Sequence, residues 1–406
     1  MSNPSSGARI AWFSPLPPMG SGIADYTAEL VPFLAGRAAV DVFCPRPGWL
    51  RARGAPRGAR VMSPGRFFAD PDAYDGCFYH LGNNPDHEFV YAAARRRPEI
   101  AVFHDAVLHH LIAHITVEQG AVPADYRQII TAEHGDRGGR LAVLKERRLA
   151  TDFEKFLFPL TSHVARQARG IVVHNIDAAT KMREAAPDVP IAVIPHHAGA
   201  PPRGVAGVDR SEARRRTGLP ADAFVVGHIG FITRPKQPGA VVQGFAGLLR
   251  EIPTAVLLMV GADRTSGALM GMVRRLGIEH AVRLTGYVNM VQMYEYLRAI
   301  DVSINLRYPS AGESSGTLAR SLAEGRVVIV NNYASWAELP ADVALKVEID
   351  RPPAEQVAEH LIRLARDPTL REALGARARE YAREHLDPSA CAAQYVAFAR
   401  AVKGTG

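Results

Sequence analysis

One run of this chain sets a carboxylate in a turn of small residues directly before a helix: Arg307-Tyr-Pro-Ser-Ala-Gly-Glu313-Ser-Ser-Gly316-Thr-Leu-Ala-Arg320-Ser-Leu-Ala-Glu324-Gly325. A carboxylate there can hold sugar hydroxyls, and the N–H groups that open a helix can hold a phosphate. The run 301–306 (DVSINL) ahead of it reads as a buried strand, Gly325 stops the helix, and 327–330 reads as the next strand. Ligands of an open parallel sheet bind beyond the carboxyl ends of its strands, so this loop lies where chemistry is expected. Two polar clusters close predicted strands earlier in the chain, His80-Leu-Gly-Asn83-Asn84 and His104-Asp105, with His109-His110 soon after. His174-Asn175 and His196-His197 close two more. No HxxxH spacing or cysteine pair gathers these histidines on one face, so a zinc site is not expected. Met19-Gly20-Ser21-Gly22 follows the first predicted strand, where glycines let backbone N–H groups approach a phosphate. The other reading of that turn is a tight strand-to-helix connection with no ligand. A dinucleotide fingerprint would need a third glycine where Asp25 stands and an acid where Phe43-Cys44-Pro45 ends the second strand, which disfavours NAD.

The elements that must position these residues alternate twice over. Candidate strands at 9–13, 40–44, 76–80, 100–104, 170–174 and 191–195 are nearly continuous in apolar residues, as strands buried on both faces should be. A helix is predicted at 24–35. The second half repeats the plan with strands at 224–229, 255–260, 282–285, 302–306, 327–330 and 344–349, and helices such as 238–250 and 290–298 between them. Two doubly wound α/β domains with parallel sheets follow, 1–200 and 209–387. The Gly- and Pro-rich stretch 198–208 reads as the hinge. Helices are predicted at 354–366 and 370–384, and a last one at 388–403 lies beyond Asp387-Pro388, where it can pack back on the first domain.

With 406 residues the chain is longer than the roughly 250–300 at which single cores stop growing, and 47% apolar residues suffice for two. No apolar run is long enough to cross a bilayer, and the opening MSNPSSGARIAWF lacks the layout of a secretory signal, so a cytosolic location is expected. Cys44, Cys77 and Cys391 are scattered and odd in number, which reads as small core residues and not a disulfide framework. The net charge of +7 fits nucleic acid, an anionic membrane surface or a phosphorylated substrate. Arginine clusters at 51–60, 95–97 and 214–216 are not interleaved with aromatics, so nucleic acid is not expected; they read as solvated helix faces, with peripheral attraction to the inner face of the membrane as the rival.

In the order and spacing of its landmarks the chain resembles retaining, nucleotide-sugar-dependent glycosyltransferases of the GT-B type, group 1 or family 4. The landmarks are 14–27 (SPLPPMGSGIADYT), Gly230-Phe-Ile-Thr-Arg-Pro-Lys236, Val260-Gly261, Leu284-Thr-Gly286-Tyr-Val, the Glu313 segment, and Glu338. The resemblance implies two facing Rossmann-like domains with a central cleft, the donor held mostly by the second and the acceptor mostly by the first. It places Lys236 on the donor diphosphate and Glu313 on the sugar. Ser314, Ser315, Gly316 and Thr317 would offer hydroxyls and N–H groups to sugar and phosphates, Gly22 an approach to phosphate, and Glu338 a carboxylate to the ribose. His104 best matches a histidine that lies close to the donor sugar. Asp105 then orients it or takes the acceptor, with His80, Asn83, Asn84 and His109 also on the acceptor side.

Two departures stand out. The family has an arginine where this chain has Phe231, so Arg234 or Arg307 is expected to supply that charge. The family's second glutamate, eight residues after the first, is replaced by Ser321, or by Arg320 with a one-residue gap. The implied activity is transfer of a sugar from a nucleoside diphosphate sugar to an acceptor hydroxyl with retention, without metal or other cofactor, the leaving diphosphate being stabilised by Lys, Arg and N–H dipoles. The acceptor is a glycan, a lipid-linked molecule or a small molecule. The alternatives left open are a GT-B sugar-nucleotide epimerase and a non-catalytic nucleotide-sugar-binding module at a membrane surface.

Overall fold

A computed structural model describes residues 8–46, 55–118, 123–151 and 153–404. Residues 51–54 of the first arginine cluster and residues 1–7 of the opening lie outside the described residues. By contact the chain forms two units. The first takes the described residues up to His197, the segment Ala311–Ser314 and the described residues from Pro388 onward; the second takes Ala198–Ser310 and Ser315–Asp387. The stretch read as a hinge groups with the second unit, because Tyr294 Oη donates to Gly199 O at 2.8 Å and Arg298 donates to the carbonyls of Val205 and Val208.

Unit 1 is built on a seven-stranded sheet in the order β3-β2-β1-β4-β5-β6-β7: β1 Arg9–Phe13, β2 Ala39–Phe43, β3 Ala59–Met62, β4 Gly76–Leu81, β5 Ile100–Phe103, β6 Gly170–Val173 and β7 Ile191–Val193. Every pairing is parallel. Parallel strands need a crossover, and apolar residues on both faces of the sheet supply surface for helices to cover. Phe13, Phe43, Tyr79 and Phe103 pack on one face, and Trp12, Phe78 and Val102 on the other. The second face is closed by the helix Gly22–Ala35 together with the helix Pro388–Lys403, which inserts Cys391, Tyr395, Ala399 and Val402. Tyr395 lies 5.0 Å from the Trp12 ring and 5.2 Å from Phe78, centroid to centroid, and its hydroxyl meets that of Tyr26 at 2.9 Å.

Unit 2 has a six-stranded parallel sheet in the order β10-β9-β8-β11-β12-β13: β8 Val225–Ile229, β9 Val256–Val260, β10 Val282–Leu284, β11 Val302–Asn305, β12 Val327–Asn331 and β13 Ala344–Val347. In each sheet the winding reverses beside the first strand, between β1 and β4 and between β8 and β11. The crevice at such a reversal is where open α/β sheets bind ligands.

Two expectations need correction. Strand β3 begins at the end of the stretch read only as an arginine cluster and runs two residues past it; it is an edge strand whose Arg60 faces out to pair with the buried Asp41 at 2.7 Å, so it lacks a continuous apolar run. Of the other arginine clusters, Arg95, Arg96, Arg215 and Arg216 are exposed as expected, and Arg214 is the exception. Arg214 is buried against Asp301 at 2.8 Å, Arg215 and Arg216 both pair with Glu212, and Arg97 pairs with Asp72 and Glu99. The three cysteines are buried thiols.

The Tyr26–Tyr395 contact gives a stability test. Tyr395→Phe strands the buried Tyr26 hydroxyl and should cost about 1–3 kcal/mol, while Tyr395→Ala also opens a cavity beside Trp12 and should cost roughly 3–5 kcal/mol. Urea unfolding of the two variants measures both steps.

Candidate functional site

In unit 2 the site grows from the ends of β8 and β11. The chain leaves β8 through Gly230, whose φ of 102° favours glycine, and a Cβ there would lie 2.6 Å from Lys236 Nζ and 3.5 Å from Thr317 Cγ2. The ammonium group therefore rests directly over the backbone at the strand end. Lys236 comes from the one-turn helix Arg234–Lys236, which is tied to the β11 loop by Tyr308 N–H donating to Pro235 O at 2.7 Å. At the end of β11, Asn305 donates from Nδ2 to Thr317 Oγ1 at 3.1 Å and accepts from Trp336 Nε1 at 3.0 Å. Ser315 caps the helix Gly316–Ala323, its Oγ accepting from Leu318 N–H, and meets Thr317 Oγ1 at 3.1 Å. Arg307 is held through its N–H to Asn331 Oδ1 at 2.6 Å. The positive charge of this edge is felt inside the sheet: burial first, then Lys236 and Arg307, push the His228 imidazole down to about 3.

The other expected donor groups differ in exposure. Arg234 is exposed. Glu338 is exposed after β12, close enough to Tyr381 to add to the burial that raises its phenol. Ser321, in the place of the second glutamate, is fully buried and bonds Ser303 Oγ at 3.0 Å and Thr317 O at 2.8 Å, so that position faces β11; Arg320 is buried too. Phe231 carries the Arg264 guanidinium 5.1 Å from its ring centroid. Arg264 thus brings a cation to the residue that stands in the arginine's place, and nothing in its sequence neighbourhood marked it.

In unit 1 the turn that bears Glu313 sits against the ends of β5 and β6. Ala106 N–H donates to Ala311 O at 2.7 Å, and Gly312, at φ 81°, lies so close that a Cβ would fall 2.5 Å from Ala106 Cβ. Asn175 Nδ2 donates to Gly312 O at 3.0 Å and to Ser314 Oγ at 2.9 Å. The Glu313 carboxylate accepts from Ala311 N–H at 2.7 Å.

Beside this turn three buried histidines are joined in a line. His174 Nδ1 meets Ile194 O at 2.8 Å, His174 Nε2 meets His104 Nδ1 at 3.1 Å, and His104 Nε2 meets His80 Nδ1 at 2.8 Å. A carbonyl only accepts, so neutral His174 carries its proton on Nδ1, His104 must donate from Nδ1, and His80 must do the same. One carbonyl fixes three tautomers. The His80 Nε2 lone pair is buried with no partner among the described residues. Burial, with mutual repulsion among the rings, holds His80 and His104 well below the ordinary histidine value, and burial brings His174 to about 4 against the hydrogen bond to Ile194. Both ring nitrogens of His104 are therefore engaged by its neighbours in the sheet.

The acceptor-side candidates divide. Asp105 Oδ2 accepts from Asn83 N–H at 3.0 Å at the edge of the sheet. Asn83 Oδ1 caps the next helix by accepting from His110 N–H and Leu111 N–H, and Asn84 accepts from Asp86 N–H. His109 is in the core, bonded to Phe158 O at 2.6 Å and Tyr126 Oη at 2.8 Å. Gly22 opens the helix capped by Ser21, with open space where a Cβ would be. Among the described residues no group of three or more His, Cys, Asp or Glu is placed to hold a metal ion, and no helix is long and apolar enough to cross a membrane.

Two Rossmann-like parallel-sheet domains, each with its winding reversed beside its first strand, define a GT-B fold. Known structures agree: over 96% of this chain and 99% of its own, HepE of Anabaena, solved with UDP and glucose, superposes with a TM-score of 0.65 at 14% identity. Sucrose-phosphate synthase of Thermosynechococcus elongatus gives 0.66 at 17% identity, over 98% of this chain and 100% of its own. Residues 209–381, the larger part of unit 2, match the family Glycosyl transferases group 1. Among curated proteins, D-inositol 3-phosphate glycosyltransferase of Actinosynnema mirum is 32% identical over 188 residues, 43% of this chain and 44% of that protein. The same-named protein of Nocardiopsis dassonvillei is 28% identical over 231 residues, 54% and 53% of the two chains. The chain spans about half the length of the curated relatives it matches.

The histidine line makes a pH prediction. An unfolded histidine titrates near about 6.5, whereas His174 folded titrates near about 4, so between these values the unfolded chain binds more protons. Stability is full above that window and falls as pH drops through it. The melting temperature should decline steadily from about pH 7 to pH 5, with a shallower slope in His174→Gln, as differential scanning fluorimetry in matched buffers would read.

Proposed function

We propose that the chain is a glycosyltransferase that moves a sugar from a nucleoside diphosphate sugar to an acceptor hydroxyl. The observation that carries this reading is the Lys236 ammonium held over Gly230 at the end of β8, beside Thr317 and the first turn of the helix Gly316–Ala323. When the bond from the anomeric carbon to the diphosphate breaks, negative charge grows on the leaving oxygen. A fixed ammonium with helix N–H groups and hydroxyls around it stabilises that charge without having to reorganise. Glu313, in the turn leading into the same helix, is assigned to the sugar hydroxyls, and Ser314, Ser315 and Thr317 to sugar and phosphate.

In this reading the anomeric configuration is retained. The acceptor oxygen bonds to the anomeric carbon as the diphosphate departs from the same face, and a leaving phosphate oxygen takes the acceptor proton. Glu313, already bound to its own Ala311 N–H, orients the sugar and does not attack it. Asp105 is the acceptor-side carboxylate. The match of residues 209–381 and the GT-B fold support the reaction class.

Thermal-shift screening against UDP-, GDP- and dTDP-sugars selects the donor, since a ligand stabilises only the form that binds it. With that donor, Lys236→Ala and Glu313→Gln should each lower turnover by about 10²-fold or more while leaving the melting temperature within a few degrees. Both variants turning over like the parent would refute the site. NMR of the product tests retention: an inverted anomeric proton coupling would remove that half of the reading. Donor binding with no transfer or hydrolysis would favour a binding module instead.

A further inference from the structure

We infer that Asn175, which lies two residues past β6 and caps the helix Ile176–Ala185, is the positioning residue for Glu313, an inference that rests on the function proposed above. Its amide is used completely. Oδ1 accepts from Ala178 N–H at 2.7 Å, capping the helix, and the two Nδ2 hydrogens go to Gly312 O at 3.0 Å and Ser314 Oγ at 2.9 Å. The amide cannot be turned over, because Ala178 N–H needs an acceptor and Gly312 O needs a donor.

The two residues it grips are those on either side of Glu313. Ser314 Oγ continues the link by donating to His174 O at 3.4 Å, so the neighbouring backbone of β6 shares the hold. On the far side the turn is pinned by Ala106 N–H on Ala311 O. Asn175 is 6% exposed, and so is shielded from water that would compete for its hydrogens. Glu313 itself is partly exposed. A carboxylate that must meet sugar hydroxyls needs a fixed backbone, since the turn 311–316 is made of small residues and glycines that would otherwise wander. The same strand end sets His104 through His174, so one dipeptide orients a ring and a carboxylate that are far apart in sequence.

Asn175→Asp separates positioning from folding. It keeps the cap on Ala178 N–H, where Asp serves as well as Asn, and replaces the donors with an oxygen that faces Gly312 O. Misplacing a reacting group by about 1 Å can cost about 10²-fold, so kcat should fall about 10- to 100-fold, with the donor KM changed less than about threefold and the melting temperature nearly kept. Ser314→Ala, which removes one of the two contacts, should give a smaller loss. The double variant Asn175→Asp/Glu313→Gln should be no slower than Glu313→Gln alone, because residues acting through one another are not additive. If Glu313→Gln is slow but Asn175→Asp matches the parent, or if the two losses multiply in the double variant, Asn175 does not position Glu313. If Glu313→Gln itself matches the parent, the functional reading fails before this one is reached.

Discussion

All strand pairs in both sheets run parallel, and the site geometry depends on that constraint. A parallel pair cannot be closed by a hairpin, so each strand must hand the chain to a crossover that returns it to the starting edge. Loops that leave strands therefore collect at one edge of each sheet, and polar groups collect with them. His80 near the end of β4, and His104 and His174 just past β5 and β6, come together for this reason, although 24 and 70 residues separate them along the chain. Lys236 and Thr317 meet over Gly230 because β8 and β11 are neighbours across the reversal of the sheet.

Burying imidazoles is costly unless their polar atoms are paired, and three of them side by side would repel if charged. Unit 1 answers with neutrality and direction. The carbonyl of Ile194 orders the protons of the whole line, so the imidazoles bring polarity to that edge without charge. Unit 2 does the opposite at its own edge, where Lys236 and Arg307 concentrate positive charge and His228 is held neutral beneath them. The two edges thus differ, one built on neutral imidazoles and the other on cations.

Much of this was legible in the sequence where a strand is buried on both faces. The apolar run 9–13 is β1 residue for residue, and most other boundaries shift by one or two positions because strand ends fray into the polar loops that matter here. Edge strand β3 was hidden because one side of it faces water and carries Arg60. The candidate lysine and glutamate were visible as residue types in particular loops. What could not be read was valence: both nitrogens of His104 are engaged by its neighbours in the sheet, and those of His109 by Phe158 and Tyr126. Asn175 stood beside His174 at a strand end, but its hold on Gly312, 137 residues away, is a fact of tertiary structure. Arg264 reaches Phe231 in the same way.

The helix Pro388–Lys403 closes the core of unit 1 across a sequence separation of 369 residues between Tyr26 and Tyr395. During synthesis the strands of unit 1 leave the ribosome first, yet Trp12 and Phe78 lack their cover until the helix emerges. Unit 2 is complete by Asp387, except for the four residues it lends. The last segment of unit 1 is thus synthesised after the whole of unit 2. Limited proteolysis of ribosome-bound chains should find unit 2 protected while unit 1 is still open. A newly made chain would hold all of the Lys236-bearing unit before the apolar face of the first sheet receives the helix that covers it.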